Sequence, residues 1–300
     1  MSEPLLPAIA EARQRFMDLV AEVRPELHRY SARMTGSVFD GEDVVQDTLA
    51  KAYFALGQME EAPPLRPWLF RIAHNTAMDF LRRYEHKNVD VVAEVPDAAD
   101  TDEPGADPAL VEAALTLFAS LPPRQRSALA LKDVLGHSLE EVATTMDTTV
   151  AAVKAALVRA RTNIAVARPP APATLHGEDR ERLQRYADLF NARNWDALRA
   201  QFAEEARLDV VSRTQRRGPG AAQYYTRYAE IIEVENLRAE PGAVDGVPVI
   251  AIYRPASSPT PAYFVQVHWH EGRIALIRDF RYVPYITDGA RFTRLAAALG

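Results

Sequence analysis

The chain has 300 residues, of which 48% are apolar and 25% charged, with a net charge of -6; this globular composition excludes a fibrous or disordered chain and predicts two or three domains. It has no cysteine, and its seven histidines show no H-E-x-x-H spacing, so disulfides, thiolate metal sites and cysteine nucleophiles are excluded and neither metal nor cofactor is expected. No run of about 18 uncharged apolar residues occurs, and the first sixteen residues carry Glu3, Glu11, Arg13 and Arg15, which predicts a soluble, cytoplasmic chain without signal segment or membrane contact.

In chain order, residues 1–86 hold 10 basic and 13 acidic side chains and read as helical. Phe16, Leu19, Val20, Val23 and Leu27 follow a 3.6-residue period, as do Val44, Val45, Thr48, Leu49, Ala52 and Tyr53. Residues 87–108 hold one basic and seven acidic side chains and three prolines. That segment alone equals the net charge of the chain and reads as an acidic linker.

Residues 109–168, with seven basic and five acidic side chains, carry helix-turn-helix grammar. Ser138 and Glu141 form a capping box, Asp147 suits the left-handed turn, and Thr149 can cap a second helix running to Ala167. Arg168-Pro169-Pro170-Ala171-Pro172 then breaks the chain, so that 169–175 reads as a proline-rich linker. Residues 176–300 read as α+β: helices over 178–190 and 195–204, then alternating runs at 208–212, 249–253, 262–269 and 273–281, the last two joined by a Glu271-Gly272 turn. In the tail, 287–300, Phe292, Leu295 and Leu299 recur at helical spacing and predict a short amphipathic helix.

An acidic chain binds duplex DNA poorly by itself, because non-specific affinity comes from neutralising phosphates. Attraction to DNA, if this chain has it, must come largely from a partner.

Two ordered blocks carry a resemblance. Asp40-Gly-Glu-Asp-Val-Val-Gln-Asp-Thr-Leu-Ala-Lys-Ala-Tyr53 and Pro67-Trp-Leu-Phe-Arg-Ile-Ala-His-Asn-Thr-Ala-Met-Asp-Phe-Leu-Arg-Arg83 resemble region 2 of the extracytoplasmic-function group of sigma-70-family sigma factors. Leu121-Pro-Pro-Arg-Gln-Arg-Ser-Ala-Leu129, Gly136-His-Ser-Leu-Glu-Glu-Val-Ala143 and Val153-Lys-Ala-Ala-Leu-Val-Arg-Ala-Arg161 resemble its region 4. The resemblance implies two all-α sigma domains that direct core RNA polymerase to promoter DNA. It implies that 40–56 docks the clamp helices of the largest polymerase subunit through Asp43, Gln46 and Asp47, with Val44, Val45, Leu49 and Phe54 packed inside, and that region 4 meets the flap. It also implies that 67–83 melts and reads the -10 element, Asn75 pairing with an exposed base edge while Arg71, Arg82 and Arg83 hold phosphates. Trp68, Phe70 and Ile72 are expected in the core. At the -35 element the candidates are Thr149, Lys154, Arg159 and Arg161. Ala152, Ala155 and Ala156 stand where the family commonly offers polar side chains, so base readout there is expected to be weak.

Residues 178–282 resemble the SnoaL-like branch of the nuclear-transport-factor-2-like superfamily, an α+β cone of curved sheet on helices, with a further helix over 218–228. The Asp-Gly-Gly-Gly motif of one sigma-factor group with such a domain is replaced by Arg213-Thr-Gln-Arg-Arg-Gly-Pro-Gly220. With a two-residue turn at 271–272, Val265, Val267, Trp269, Ile274, Leu276 and Phe280 share one face, and Gln266, His268, His270 and Asp279 the other. The inward face then has no acid or histidine, so no catalytic residue is expected, with the reservation that a β-bulge would swap the faces. The segment's expected role is binding, of a small apolar ligand or of the sigma domains within the same chain. Two other functions remain open: a ligand-responsive DNA-binding regulator that never meets polymerase, and a SnoaL-like small-molecule enzyme.

Overall fold

The computed structural model describes residues 5–61, 63–85, 115–167 and 177–295. The expected acidic linker at 87–108 and the proline-rich linker at 169–175 lie outside the described residues. The chain forms two compact units, Met1–Pro170 and Ala171–Gly300.

The first unit is helical: α1 (Leu5–Val20), α2 (Arg24–Thr35), α3 (Val38–Leu56), α4 (Leu65–Glu85), α5 (Leu115–Ala119), α6 (Pro123–Leu129), a turn of π-helix (Ala130–Val134), α7 (Leu139–Thr145) and α8 (Val150–Val166). Chain-local chemistry sets these boundaries. Gly36, at φ 81°, ends α2 in the left-handed conformation, and Ser37 starts α3 by accepting a hydrogen bond from the Asp40 N–H. Helices α2 and α3 then pack so closely that a Cβ at Gly41 would lie 2.6 Å from the Ala32 backbone; only glycine permits that approach.

A single hydrophobic core joins the two blocks that the sequence separates. Leu27, Tyr30, Met34, Val45, Leu69 and Phe70 belong to the same buried cluster as Leu129, Leu131, Val142, Val153 and Leu157. Polar groups cross the same seam. The Tyr30 hydroxyl lies 3.0 Å from His74 Nδ1 and 2.9 Å from Ser127 Oγ, and His74 Nδ1 lies 3.0 Å from Ser127 Oγ. The Arg126 guanidinium donates to the carbonyl oxygens of Met34, Ala119 (2.6 Å) and Leu121 (2.8 Å), and the Phe70 and His137 rings meet edge to face at 4.8 Å. Buried carbonyls left unpaired would each be costly, so Arg126 welds three chain segments at once.

Two apolar residues of this unit depart from the sequence reading. Leu19 is 55% and Phe54 72% exposed. Leu19 alone leaves its run: Phe16, Val20 and Leu27 are buried and Val23 packs against the core, whereas Leu19, inside α1, is exposed. Phe54 is on the outer side of the last turn of α3, whose Tyr53 and Leu56 pack against the core, its ring touching only Tyr53 among the aromatic contacts of the described residues. By contrast Phe70 is buried, and Trp68 and Ile72 pack against the core as expected.

The second unit is α+β: α9 (Gly177–Asn191), α10 (Trp195–Arg199), β1 (Phe202–Val210), β2 (Thr214–Arg217), α11 (Pro219–Ala222), α12 (Tyr224–Glu235), β3 (Arg238–Val244), β4 (Val247–Tyr253), β5 (Tyr263–His270), β6 (Arg273–Asp279), a 3-10 turn (Pro284–Thr287) and β7 (Phe292–Arg294). One seven-stranded sheet runs β2-β1-β6-β5-β4-β3-β7, antiparallel except for the β1/β6 pair. Helix α9 lies on β3 and β4, held by Asn191, which donates to the Ala239 carbonyl and accepts from its N–H, both at 2.9 Å.

The Glu271-Gly272 hairpin forms as expected, with φ of 50° and 76°. Further along, the pairing corrects the sequence reading. His268 pairs with Leu276 and Trp269 with Ile274, so β6 carries one extra residue, Ala275. This bulge swaps the faces: Asp279 stands opposite Val265 and is 1% exposed, not on the outer face beside His268. The tail departs too. Residues 292–294 form β7 on the edge of β3 rather than helix, because the open backbone groups of β3 pair with it and the Phe292 ring lies over Gly242, where a Cβ would collide with it. Residues 296–300 lie outside the described residues. The helix expected over 195–204 ends at Arg199 and yields to β1.

Candidate polymerase and nucleic-acid interface

Helix α4 divides its residues by period. Leu69, Phe70, Ala73, His74, Ala77 and Leu81 are buried, whereas Arg71, Asn75, Arg82 and Arg83 are exposed. Spacings of four, then seven and eight, put these four along one outer stripe. His74, within the expected reading segment, turns inward; burial, reinforced by the positive field of Arg124, pulls its pKa down to about 4. It therefore stays neutral at pH 7, and serves Tyr30 and Ser127 rather than a phosphate.

On α3, Val44, Val45, Thr48 and Leu49 fill the core, which leaves Asp43 and Gln46 half-buried and Asp47 exposed. Asp47 does not stand apart from the DNA candidates. A cleft of about 480 Å³ between α3 and α4 is lined by Asp47, Lys51, Asp79, Arg82 and Arg83. Within it Arg82 pairs with Asp79, Lys51 Nζ lies 3.8 Å from Asp79 Oδ2 and donates to Thr76 Oγ1 at 3.0 Å, and Arg83 Nε lies 3.4 Å from the Asp79 carbonyl oxygen. Lys51 and Asp79 carried no assignment from sequence; the spacing of Asp47 and Lys51, one helical turn apart on α3, was the available signal.

The helix-turn-helix follows its local grammar. The Ser138–Glu141 capping box is complete, Asp147 takes φ 52°, and Thr149 Oγ1 accepts from the Ala152 N–H at 3.2 Å. Thr149 and Lys154 are exposed on α8 and Arg159 is half-buried. Arg161 grips Asp133 with two bonds, at 2.9 and 2.7 Å, so its guanidinium bridges α8 to the π-turn. Ala156, expected toward the DNA groove, is buried, while Ala152 is exposed and Ala155 half-buried.

The second unit contains a polar centre that the sequence reading placed outside. Tyr224 donates to Asp279 Oδ2 at 2.6 Å, and Tyr228 at 3.4 Å. The Tyr228 and Tyr263 hydroxyls are 2.7 Å apart, and Tyr225 donates to Tyr186 at 2.6 Å. Burial pushes the Asp279 carboxyl up to about 6, although the Tyr224 hydroxyl and the Arg281 N–H favour its ionised form. His268, near the C-terminal end of β5, is exposed.

The sigma-70 region 2 family model matches residues 19–87 and the sigma-70 region 4 model matches residues 112–164. The chain is 34% identical over 229 residues to the "ECF RNA polymerase sigma factor SigG" of Mycobacterium tuberculosis, a match covering 65% of this chain and 61% of SigG; it thus spans less than two thirds of that relative. A share of 65% exceeds what the 170 residues of the first unit supply, so the match runs on into the second unit. The "RNA polymerase sigma factor CarQ" of Myxococcus xanthus is 33% identical over 134 residues, covering 44% of this chain and 76% of CarQ. Among solved structures, the extracytoplasmic function sigma factor SigJ of Mycobacterium tuberculosis is 20% identical, with 87% of this chain and 95% of SigJ covered and a TM-score of 0.34. With both regions matched in order, and most of CarQ covered at this identity, the chain belongs to the extracytoplasmic-function group of sigma-70-family RNA polymerase sigma factors.

Proposed function

We propose that the chain directs core RNA polymerase to promoters, with α3 docking the polymerase through Asp43, Gln46 and Asp47 and the outer stripe of α4 engaging the opened -10 strand. The observation that carries this reading is the stripe itself: an amide, Asn75, between Arg71 on one side and Arg82 and Arg83 on the other, is suited to one base edge flanked by phosphates. Region 4 contributes phosphate contacts through Thr149, Lys154 and Arg159 more than base readout. The second unit, fused to both regions, acts as a regulator in place of a separate partner protein. The test is run-off transcription by reconstituted holoenzyme on genomic fragments that it selects. Full-length chain should initiate at discrete sites only with core polymerase, and tight sequence-specific binding by the chain alone at about 150 mM salt would contradict it.

A second reading, in which the second unit binds a small molecule or acts on one, is favoured by the buried Asp279 and its tyrosines. Its test is a thermal-shift screen of the full chain against small carbonyl and phenolic compounds, compared with Asp279→Asn. A shift lost in the variant supports this reading.

A further inference from the structure

The cleft between α3 and α4 joins a residue assigned to polymerase, Asp47, with two assigned to DNA, Arg82 and Arg83. Lys51 lines the cleft and donates to Thr76, which is itself buried, at 3.0 Å, which favours a rotamer that keeps its ammonium at the rim. Asp79 neutralises Arg82 and approaches Lys51. These pairs are exposed, with side-chain exposures of 46% for Asp79, 51% for Lys51 and 67% for Arg82, and exposed pairs hold weakly in water. Three cations face two carboxylates here, so one positive charge remains uncompensated within the cleft.

We propose that this cleft seats a backbone phosphate of the separated DNA strand, with Lys51 as a phosphate ligand beside Arg82 and Arg83 and Asp79 as the internal counter-ion that the phosphate displaces. Ammonium and guanidinium groups supply the donors a phosphate oxygen needs, and releasing a weak surface pair costs less than the new charge-assisted bonds return. The seat also puts DNA one helical turn from Asp47, so that one cleft couples polymerase docking to strand capture. This inference rests on the reading of α4 as the DNA-bearing helix.

The experiment uses full-length chain in holoenzyme, a duplex with a mismatched bubble as probe, and core polymerase alone as baseline, with affinity followed between about 50 and 200 mM salt. Lys51→Gln keeps a partner for Thr76 and removes the charge. It should lower the slope of log affinity against log salt by about 0.7, one phosphate contact, and weaken binding by roughly 2–5-fold. Lys51→Arg should restore both, Asp79→Asn should tighten binding several-fold, and Arg82→Ala serves as reference. Affinity for core polymerase should stay unchanged throughout. If Lys51→Gln keeps the wild-type slope while Arg82→Ala lowers it, the seat is wrong and the reading of α4 stands. If neither changes the slope, the reading of α4 fails and the seat with it. If Lys51→Gln weakens core binding instead, Lys51 belongs to the polymerase contact and the proposal is overturned.

Discussion

The two units bury polar groups to opposite effect. In the first, the seam between the region 2 and region 4 blocks is closed by neutral groups and by one guanidinium bound to carbonyl oxygens: Tyr30, His74 and Ser127 satisfy one another, and Arg126 satisfies three carbonyls. In the second, an acid is buried among tyrosines at a cost to its charged form. For His74, whose folded pKa is lowered from 6.5 to about 4, the unfolded chain binds more protons in that window; its contribution to stability is present above pH 6.5 and lost as pH falls. For Asp279, raised from 3.8 to about 6, the folded chain binds more protons; stability falls as pH rises through that window and stays low above it. Acid therefore loosens the first unit and tightens the second through these two groups. Arrangements of the first kind hold a fold together, whereas a destabilising buried acid is the kind retained for function.

The largest expected effect breaks the seam. Arg126→Ala strands three carbonyls and should lower the stability of the first unit by about 3–5 kcal/mol, read by urea unfolding; a loss under 1 kcal/mol would show the seam to be incidental. Next, Asp279→Asn keeps an acceptor for Tyr224 and removes the charge. At pH 7 it should raise the melting temperature of the second transition, by up to about 3 kcal/mol in stability, and flatten its dependence between pH 4 and 6. A destabilised variant would mean that the carboxylate is a structural acceptor. His74→Asn places an amide near the site of Nδ1 and should reduce the acid sensitivity of the first unit between pH 6.5 and 4, while costing roughly 1–2 kcal/mol at pH 7. The smallest effect is at Phe54: Phe54→Ser should change stability by no more than about 0.5 kcal/mol, since the ring contributes little to the core.

The same contrast separates what the sequence disclosed from what it hid. The helix-turn-helix was legible to the residue because its signals are local: Ser138 and Glu141, Asp147 and Thr149 each act within four positions. Arg71, Asn75, Arg82 and Arg83 were named through the family resemblance, and it is the burial of Phe70, Ala73 and Ala77 that shows they share the outer side of α4. Asp279 was hidden because one extra residue, Ala275, reverses the sheet faces, and nothing in the β6 sequence marks it. Strand β3 was overlooked although Asp245-Gly246, both at positive φ, is a strong hairpin signal. The tail misled because three apolar residues fit a helical period as easily as an edge strand, and only the partner β3 decides. That both sigma regions share one core depends on contacts between distant segments, which periodicity does not report.

Asn75 tests the central functional reading most directly. In holoenzyme on a promoter selected by the wild-type chain, Asn75→Ala should weaken open-complex formation by roughly 1–3 kcal/mol, the order of one lost base contact, with core affinity and melting temperature unchanged. Asn75 is exposed, so the variant is expected to fold. Open-complex formation at the wild-type level would contradict the assignment of α4 to the -10 strand.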